Sequence, residues 1–307
     1  MRFRLDDYID GDVAYLAGLV IGRGVLSDSP MRTLVIRFPY TNLKLRVKEK
    51  EYDQEHYLKL GLNDIRERIA ELLACDIRIE KGKNSIDLVA MFQRHTMAWR
   101  NILLLTNGAK DYHHFAVPQV FFEKDLPTDW KAEFIKGFGD VAGNIRESNL
   151  GRDGRHRVRL DVLNSKTNWT LPVQLCTLLQ EHVGIPVQLI TWGHPNLGRE
   201  FREHQMNIFA DSYLHIGFSF EHKQEILSQL AKLNSNRKPY VEPHPCPGQR
   251  LIRELKDYDK KECDVDHLDP SLVGRHFDAY WQICRALGCP RRPPPDLEPT
   301  LDFVEEG

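Results

Sequence analysis

Ala14-Tyr15-Leu16-Ala17-Gly18-Leu19-Val20-Ile21-Gly22-Arg23-Gly24 is the stretch that decides the fold of this 307-residue chain. It is short and apolar, and its period places Gly18 and Gly22 one turn apart on the same helical face. A glycine inside a helix costs about 0.5–1 kcal/mol relative to alanine. Two of them at i and i+4 mark a face where another backbone must come very close. The chain offers one partner of the same kind, Glu133-Phe134-Ile135-Lys136-Gly137-Phe138-Gly139-Asp140-Val141-Ala142-Gly143. Gly143 ends it as Gly24 ends the first run. The expected seam runs through Gly18, Gly22, Gly137 and Val141.

Outward from each run the same order of segments repeats. Thr33 to Phe38 reads as a strand, and Lys44-Leu45-Arg46-Val47-Lys48 alternates cations with apolar residues, which puts Lys44, Arg46 and Lys48 on one face of an extended segment. Asn63 to Ala74 has helical spacing, Asp76–Glu80 and Ser85–Phe92 read as a hairpin, and Thr96–Leu105 as a helix. After the second run, Arg155-His156-Arg157-Val158-Arg159-Leu160 alternates again. Leu171–His182 reads as a helix, Val187–Trp192 and Gln205–Phe209 as strands, and Glu221–Leu233 as a closing helix. Asp12 and Thr128 are the expected caps of the two glycine-bearing helices. The residue pattern alone supports an α+β chain with an internal duplication, and small-residue helix crossings occur in many folds.

The two glycine-bearing runs resemble the paired signature helices of the LAGLIDADG homing endonucleases. Leu16 to Gly24 matches the first five letters of that signature almost fully, and Ile135 to Gly143 matches it more loosely. Gly18 and Gly137 lie 119 residues apart, the size of one half of a two-motif monomer. The resemblance implies two pseudo-symmetric αββαββα halves, residues 1–120 and 121–236, forming a saddle of strands on double-stranded DNA. It also implies a monomer with an internal pseudo-two-fold. In that family the eighth letter is usually an acid that holds divalent metal against the scissile phosphates. Here the eighth letters are Arg23, which repels a cation, and Ala142, which offers no ligand. Only Asp140, at the sixth letter, is acidic. The expectation is a sequence-specific duplex-DNA-binding protein used in regulation or genome defence. One alternative is an active homing- or restriction-type endonuclease with a rebuilt catalytic site that includes Asp140 and uses Mg. Another is a maturase-like RNA-binding protein. The expected DNA contacts are Arg23, Lys44, Arg46, Lys48, Arg155, Arg157, Arg159, His194 and Arg199. The alternation alone would also fit a solvated outer sheet face.

Composition agrees with a globular chain and excludes several classes. Hydrophobic residues make up 41% and charged residues 28%, and no apolar run approaches a membrane span. The first ten residues lack a signal-peptide core, and the cysteines form no dense framework, so a cytoplasmic setting is expected, nucleoid-associated if bacterial. No phosphate-binding loop, dinucleotide fingerprint or nucleophile elbow is present. The net charge of −2 hides an uneven distribution. Residues 240–307 hold 9 basic and 14 acidic side chains, and the rest hold 33 and 30, so an acidic tail follows a mildly basic body. The proline-rich Asn236–Gly248 marks a boundary, after which residues 237–307 read as a mainly helical appendage with a proline-rich end. Cys263, His267, Cys284 and Cys289 there have the right atoms for structural zinc, although the spacing fits no common finger and buried thiols would give the same residues.

Overall fold

The computed structural model describes residues 9–40, 44–47, 50–82, 84–93, 96–150, 154–165, 170–187, 189–192 and 201–236. The expected appendage, with the four candidate zinc ligands, lies outside the described residues. So do Lys48, His194 and Arg199.

Helix α1 (Gly11–Arg23) packs along its length on α4 (Thr128–Ala142). A Cβ built on Gly18 would strike the carbonyl of Phe134, and one built on Gly137 would strike the carbonyl of Tyr15. The two contacts are reciprocal, because Phe134 and Tyr15 each stand three residues before the opposite glycine. One turn further along, the Cβ position of Gly22 is filled by the side chain of Val141. Gly18, Gly22, Gly137 and Val141 thus lie along the contact between the helices, and a shift of 119 residues maps one helix onto the other. The caps differ from expectation. Asp10, not Asp12, accepts from the Val13 amide at 2.8 Å, while Asp12 pairs with Arg68 at 2.6 Å. Thr128 opens α4 behind Pro127, with no side-chain cap.

Each seam helix leads into a four-stranded antiparallel sheet. The first contains β1 (Gly24–Ser27), β2 (Arg32–Pro39), β5 (Ile77–Lys81) and β6 (Ser85–Phe92) in the order β1-β2-β6-β5. The second contains β7 (Gly143–Leu150), β8 (His156–Ser165), β9 (Leu189–Trp192) and β10 (Phe201–Phe209) in the order β7-β8-β10-β9. The topology is the same in both. The registers agree too: Gly24 pairs with Ile36 and Ile36 with Leu88, as Gly143 pairs with Leu160 and Leu160 with Met206. Leu34, Ile36, Phe38, Ile86, Leu88 and Ala90 bury one face of the first sheet, and Val158, Leu160, Val162, Met206 and Ile208 bury one face of the second.

Helices complete each half. α2 (Gln54–Leu73) and α3 (Met97–Leu105) belong to the first. α5 (Thr170–Thr177), continued by one π-helical turn over Leu178–His182, belongs to the second with α6 (Ala210–Tyr213) and α7 (Glu221–Ser235). The halves interlock. Phe38 meets Phe220 edge to face at 5.7 Å, and Arg68 of α2 reaches Glu133 of α4 at 3.2 Å. Among the described residues no helix is long and apolar enough to cross a membrane.

The structure corrects the expectation at Lys44. Lys44–Val47 forms β3, but it does not join the first sheet. Among the described residues it pairs with β4 (Lys50–Asp53) alone, as a separate two-stranded ribbon that lies between β2 and α2 in the chain. The counterpart of β8 is β2. The basic strand at Lys44 and the basic strand at Arg155 are therefore not equivalents, although their local alternation is the same. Four alternating residues specify a two-faced strand but not the strand it will pair with.

Candidate nucleic-acid interface

The second sheet turns Arg157, Arg159 and Asp161 of β8 away from the core, because period two sends Val158, Leu160 and Val162 inward. Register places Asn207 opposite Arg159, Gln205 opposite Asp161, and Asn144 of β7 on the other flank of Arg159. Arg146 follows on the same face of β7. Burial holds Arg159 below the usual arginine value; Asp161 opposes that shift, and Arg146 and Arg157 add to it. Three guanidinium groups are thus gathered on one half-buried polar surface.

Arg155 and Arg157 are positioned by an aromatic platform. The guanidinium of Arg155 stacks over the Phe209 ring at 4.2 Å and that of Arg157 at 5.3 Å. Arg155 also pairs with Asp211 at 2.9 Å, and Asn234 donates to the other oxygen of that carboxylate at 2.7 Å. Arg155 is therefore held at the end of the ladder, while Arg157 and Arg159 stand within it. Lys44 and Arg46 lie in the separate ribbon, where only their backbone placement is described.

The C-terminal ends of α1 and α4 form a depression lined by Arg23, Ala142, Asn144, Arg146, Asp161 and Lys223. This is where the resemblance implies two metal-binding acids. Arg23 is 5% exposed. Its guanidinium donates to the Gly22 carbonyl and to the Asp161 carbonyl, each at 2.7 Å, and faces the Tyr112 ring at 5.6 Å. It ties the end of α1 to β8. At the end of α4 the cation comes from another helix. Lys223 of α7 donates to the carbonyls of Asp140 at 2.9 Å and Gly143 at 3.2 Å. Both helices thus finish on a positive side chain, which satisfies free carbonyls and opposes the negative end of each helix dipole. Burial, partly offset by Asp140 and Asp161, pushes the Lys223 ammonium down to about 8. His222 beside it is pushed down to about 4 by burial and by Lys223.

Asp140 does not line this depression. It is 2% exposed. The Tyr15 hydroxyl donates to it at 2.7 Å and the Ser219 amide at 3.0 Å. Burial raises its pKa, with Lys223 and these hydrogen bonds working in the opposite direction. The 119-residue shift sets Asp140 against Ile21, itself 1% exposed. The acid therefore occupies an inward position of the seam and fastens α1 and α4 to the turn before α7, which is a poor placement for the catalytic part expected of it. The donor set at the helix ends does not suit a divalent cation. One carboxylate, Asp161, faces two arginines and a lysine, and among the described residues no group of three or more His, Cys, Asp or Glu side chains could hold a metal.

Sequence reasoning missed Arg146, Asn144, Gln205, Asn207 and Lys223. The first four carried a signal, since Asn144-Ile145-Arg146 and Gln205-Met206-Asn207-Ile208 both alternate. Lys223 carried none, because its partners lie about 80 positions earlier.

No family profile matches the sequence, and no curated protein matches it. Solved structures of similar fold were found. Mesophilic variants from the homing endonuclease I-DmoI are similar at 15% identity over 70% of this chain and 90% of theirs, with a TM-score of 0.41. I-DmoI in complex with DNA and Mn is similar at 21% identity over 71% and 97%, with a TM-score of 0.38. Full-length DUF199/WhiA from Thermatoga maritima is similar at 11% identity over 96% and 89%, with a TM-score of 0.43. The architecture is LAGLIDADG-like. It is so on this chain's own terms: a glycine-to-carbonyl helix seam, reciprocal about a 119-residue shift, with the same sheet topology on either side.

Proposed function

We propose that this LAGLIDADG-like chain binds double-stranded DNA, as a monomer whose two halves act as internal partners, and does not cut it through a metal at the helix ends. Its work is then recognition, in regulation or genome defence. The observation that carries the reading is the outer face of the second sheet, where Arg146, Arg157 and Arg159 share one surface with Asn144 and Gln205, above a buried Asn207 that donates to the Gln205 carbonyl at 3.1 Å. Arginine grips phosphates and guanine edges, and side-chain amides pair with adenine edges, so this residue set suits a groove of duplex DNA. At the seam, Arg23 and Lys223 supply built-in positive charge where the family resemblance calls for metal.

The test is a gel shift of the full chain with duplex DNA and with structured RNA, in EDTA and in magnesium or manganese. It is paired with incubation of the protein on a random-sequence plasmid library. The expected result is duplex binding that survives EDTA, with no strand cleavage. Preference for the RNA would favour a maturase-like role. Metal-dependent cuts that vanish in Asp140→Asn would restore the rebuilt endonuclease site.

A further inference from the structure

We propose, resting on that duplex-DNA reading, that base recognition is confined to the second half, so that the protein reads one half of its footprint and merely tracks the other. The shared register makes the comparison residue by residue. Where the second sheet places Arg159 opposite Asn207 and Arg157 opposite Phe209, the first places Val35 opposite Val89 and Thr33 opposite Met91. None of Thr33, Val35, Val89 and Met91 can make the bidentate contacts by which arginine and side-chain amides tell base pairs apart.

The cations of the first sheet are also balanced. Arg37 stands opposite Asp87, with 3.9 Å between Nε and Oδ2. Arg78 follows the same outward parity of β5 as Glu80. In the second sheet the position equivalent to Arg37 is Asp161, and that carboxylate sits among the clustered arginines rather than cancelling a single one. One sheet is close to neutral with a valine pair at its centre. The other is cationic, with the side-chain amides of Asn144 and Asn207 flanking Arg159.

The experiment is selection of the full chain against a library of random duplexes, with base information read at each position. It is repeated with Arg159→Ala, Arg37→Ala and Val35→Arg, each checked for an unchanged melting curve. The expected map is one-sided. Arg159→Ala should flatten the informative half by about 5- to 150-fold in base preference at the contacted pair. Arg37→Ala should leave the map as it is, and Val35→Arg should write new preference into the silent half. Comparable information in both halves of the parent's footprint would overturn the one-sided reading while leaving DNA binding intact. So would an Arg159→Ala map identical to the parent's from a fully folded variant. Failure to retain any duplex would instead remove the DNA reading on which the inference rests.

Discussion

In the first half Val35 faces Val89 across the outer surface of the sheet, and at the same place in the second half Arg159 faces Asn207. On the inner surface the same two strand pairs carry Ile36 with Leu88 and Leu160 with Met206. The inner faces of the two sheets agree in character, and their outer faces do not. A buried position is constrained by volume and by the lack of any other partner, so both copies keep an aliphatic residue there. An outer position is free to change, and charge has accumulated on one copy only. The helix ends differ in the same way. α1 is capped by its own Arg23, whereas α4 ends in Ala142 and borrows Lys223 from α7. Two unlike residues thus meet one electrostatic requirement, which argues that the requirement is real in both halves.

The strongest way to break the comparison is at the seam. Gly18→Val and Gly137→Val each drive a side chain into a backbone carbonyl of the opposite helix. Each should destabilise the chain by about 3 kcal/mol, the upper end of the overpacking range, because backbone cannot rotate out of the way. If the pseudo-two-fold is sound, the two variants should lose similar stability in chemical denaturation, and the double variant should lose less than the sum. Parent-like melting of either variant would remove the reciprocity on which the residue-by-residue equivalence depends.

Arg23 comes next. Arg23→Ala removes one buried and one part-buried hydrogen bond from a charged donor to carbonyls of α1 and β8, at about 1.5–3 kcal/mol for such bonds. The loss should appear in denaturant unfolding. If Arg23 is a tie, the salt dependence of DNA binding should keep its slope. A slope lowered by about one would return Arg23 to the phosphate contacts.

How much of the fold is legible in the sequence depends on how far apart the interacting residues lie along the chain. The seam is legible because glycine inside an apolar helix is costly unless a second backbone needs the room, and the 119-residue spacing supplies that partner. The inward and outward faces of β8 are legible because period two is a local property. The ribbon at Lys44 is not, since its alternation matches that of a sheet strand and only pairing tells them apart. The inward turn of Arg23 is hidden too, because one of its acceptors, the Asp161 carbonyl, belongs to a strand 138 positions away. Asp140 is an intermediate case. The 119-residue shift already aligns it with Ile21 and so with an inward position, but its partner Ser219 becomes visible only in the folded chain.

The third test compares Arg159→Ala with Arg37→Ala. The first removes a cation from the unbalanced sheet, the second from a sheet where Asp87 stands opposite. Arg159→Ala should weaken duplex binding by about tenfold at moderate salt and lower the salt slope by about one. Arg37→Ala should change both by less than half as much. Titrations at two salt concentrations suffice, and equal losses from the two variants would mean that the sheets share the phosphate contacts evenly.

The smallest expected effect concerns the borrowed cap. Lys223 has a folded-state pKa of about 8, below the usual lysine value of 10.5, chiefly because its ammonium is desolvated beside the end of α4. The sign follows from proton binding. Between about pH 8 and 10.5 the unfolded chain holds this proton more fully than the folded chain does, so raising the pH through that window removes a penalty and adds stability. The gain is bounded at about 1.4 kcal/mol per pH unit. It should be smaller in practice, because the neutral amine makes weaker hydrogen bonds to the Asp140 and Gly143 carbonyls. Other groups titrate in the same range, so the measurement is a difference: denaturant midpoints of the parent minus those of Lys223→Met, followed from pH 7 to 10. That difference should move in favour of the parent as the pH rises. Arg23→Met, at the end of α1, should give a flat difference over the same range, because arginine keeps its proton. A flat Lys223 difference would mean that its ammonium sits in water, and that the two helix ends are not capped in the same way.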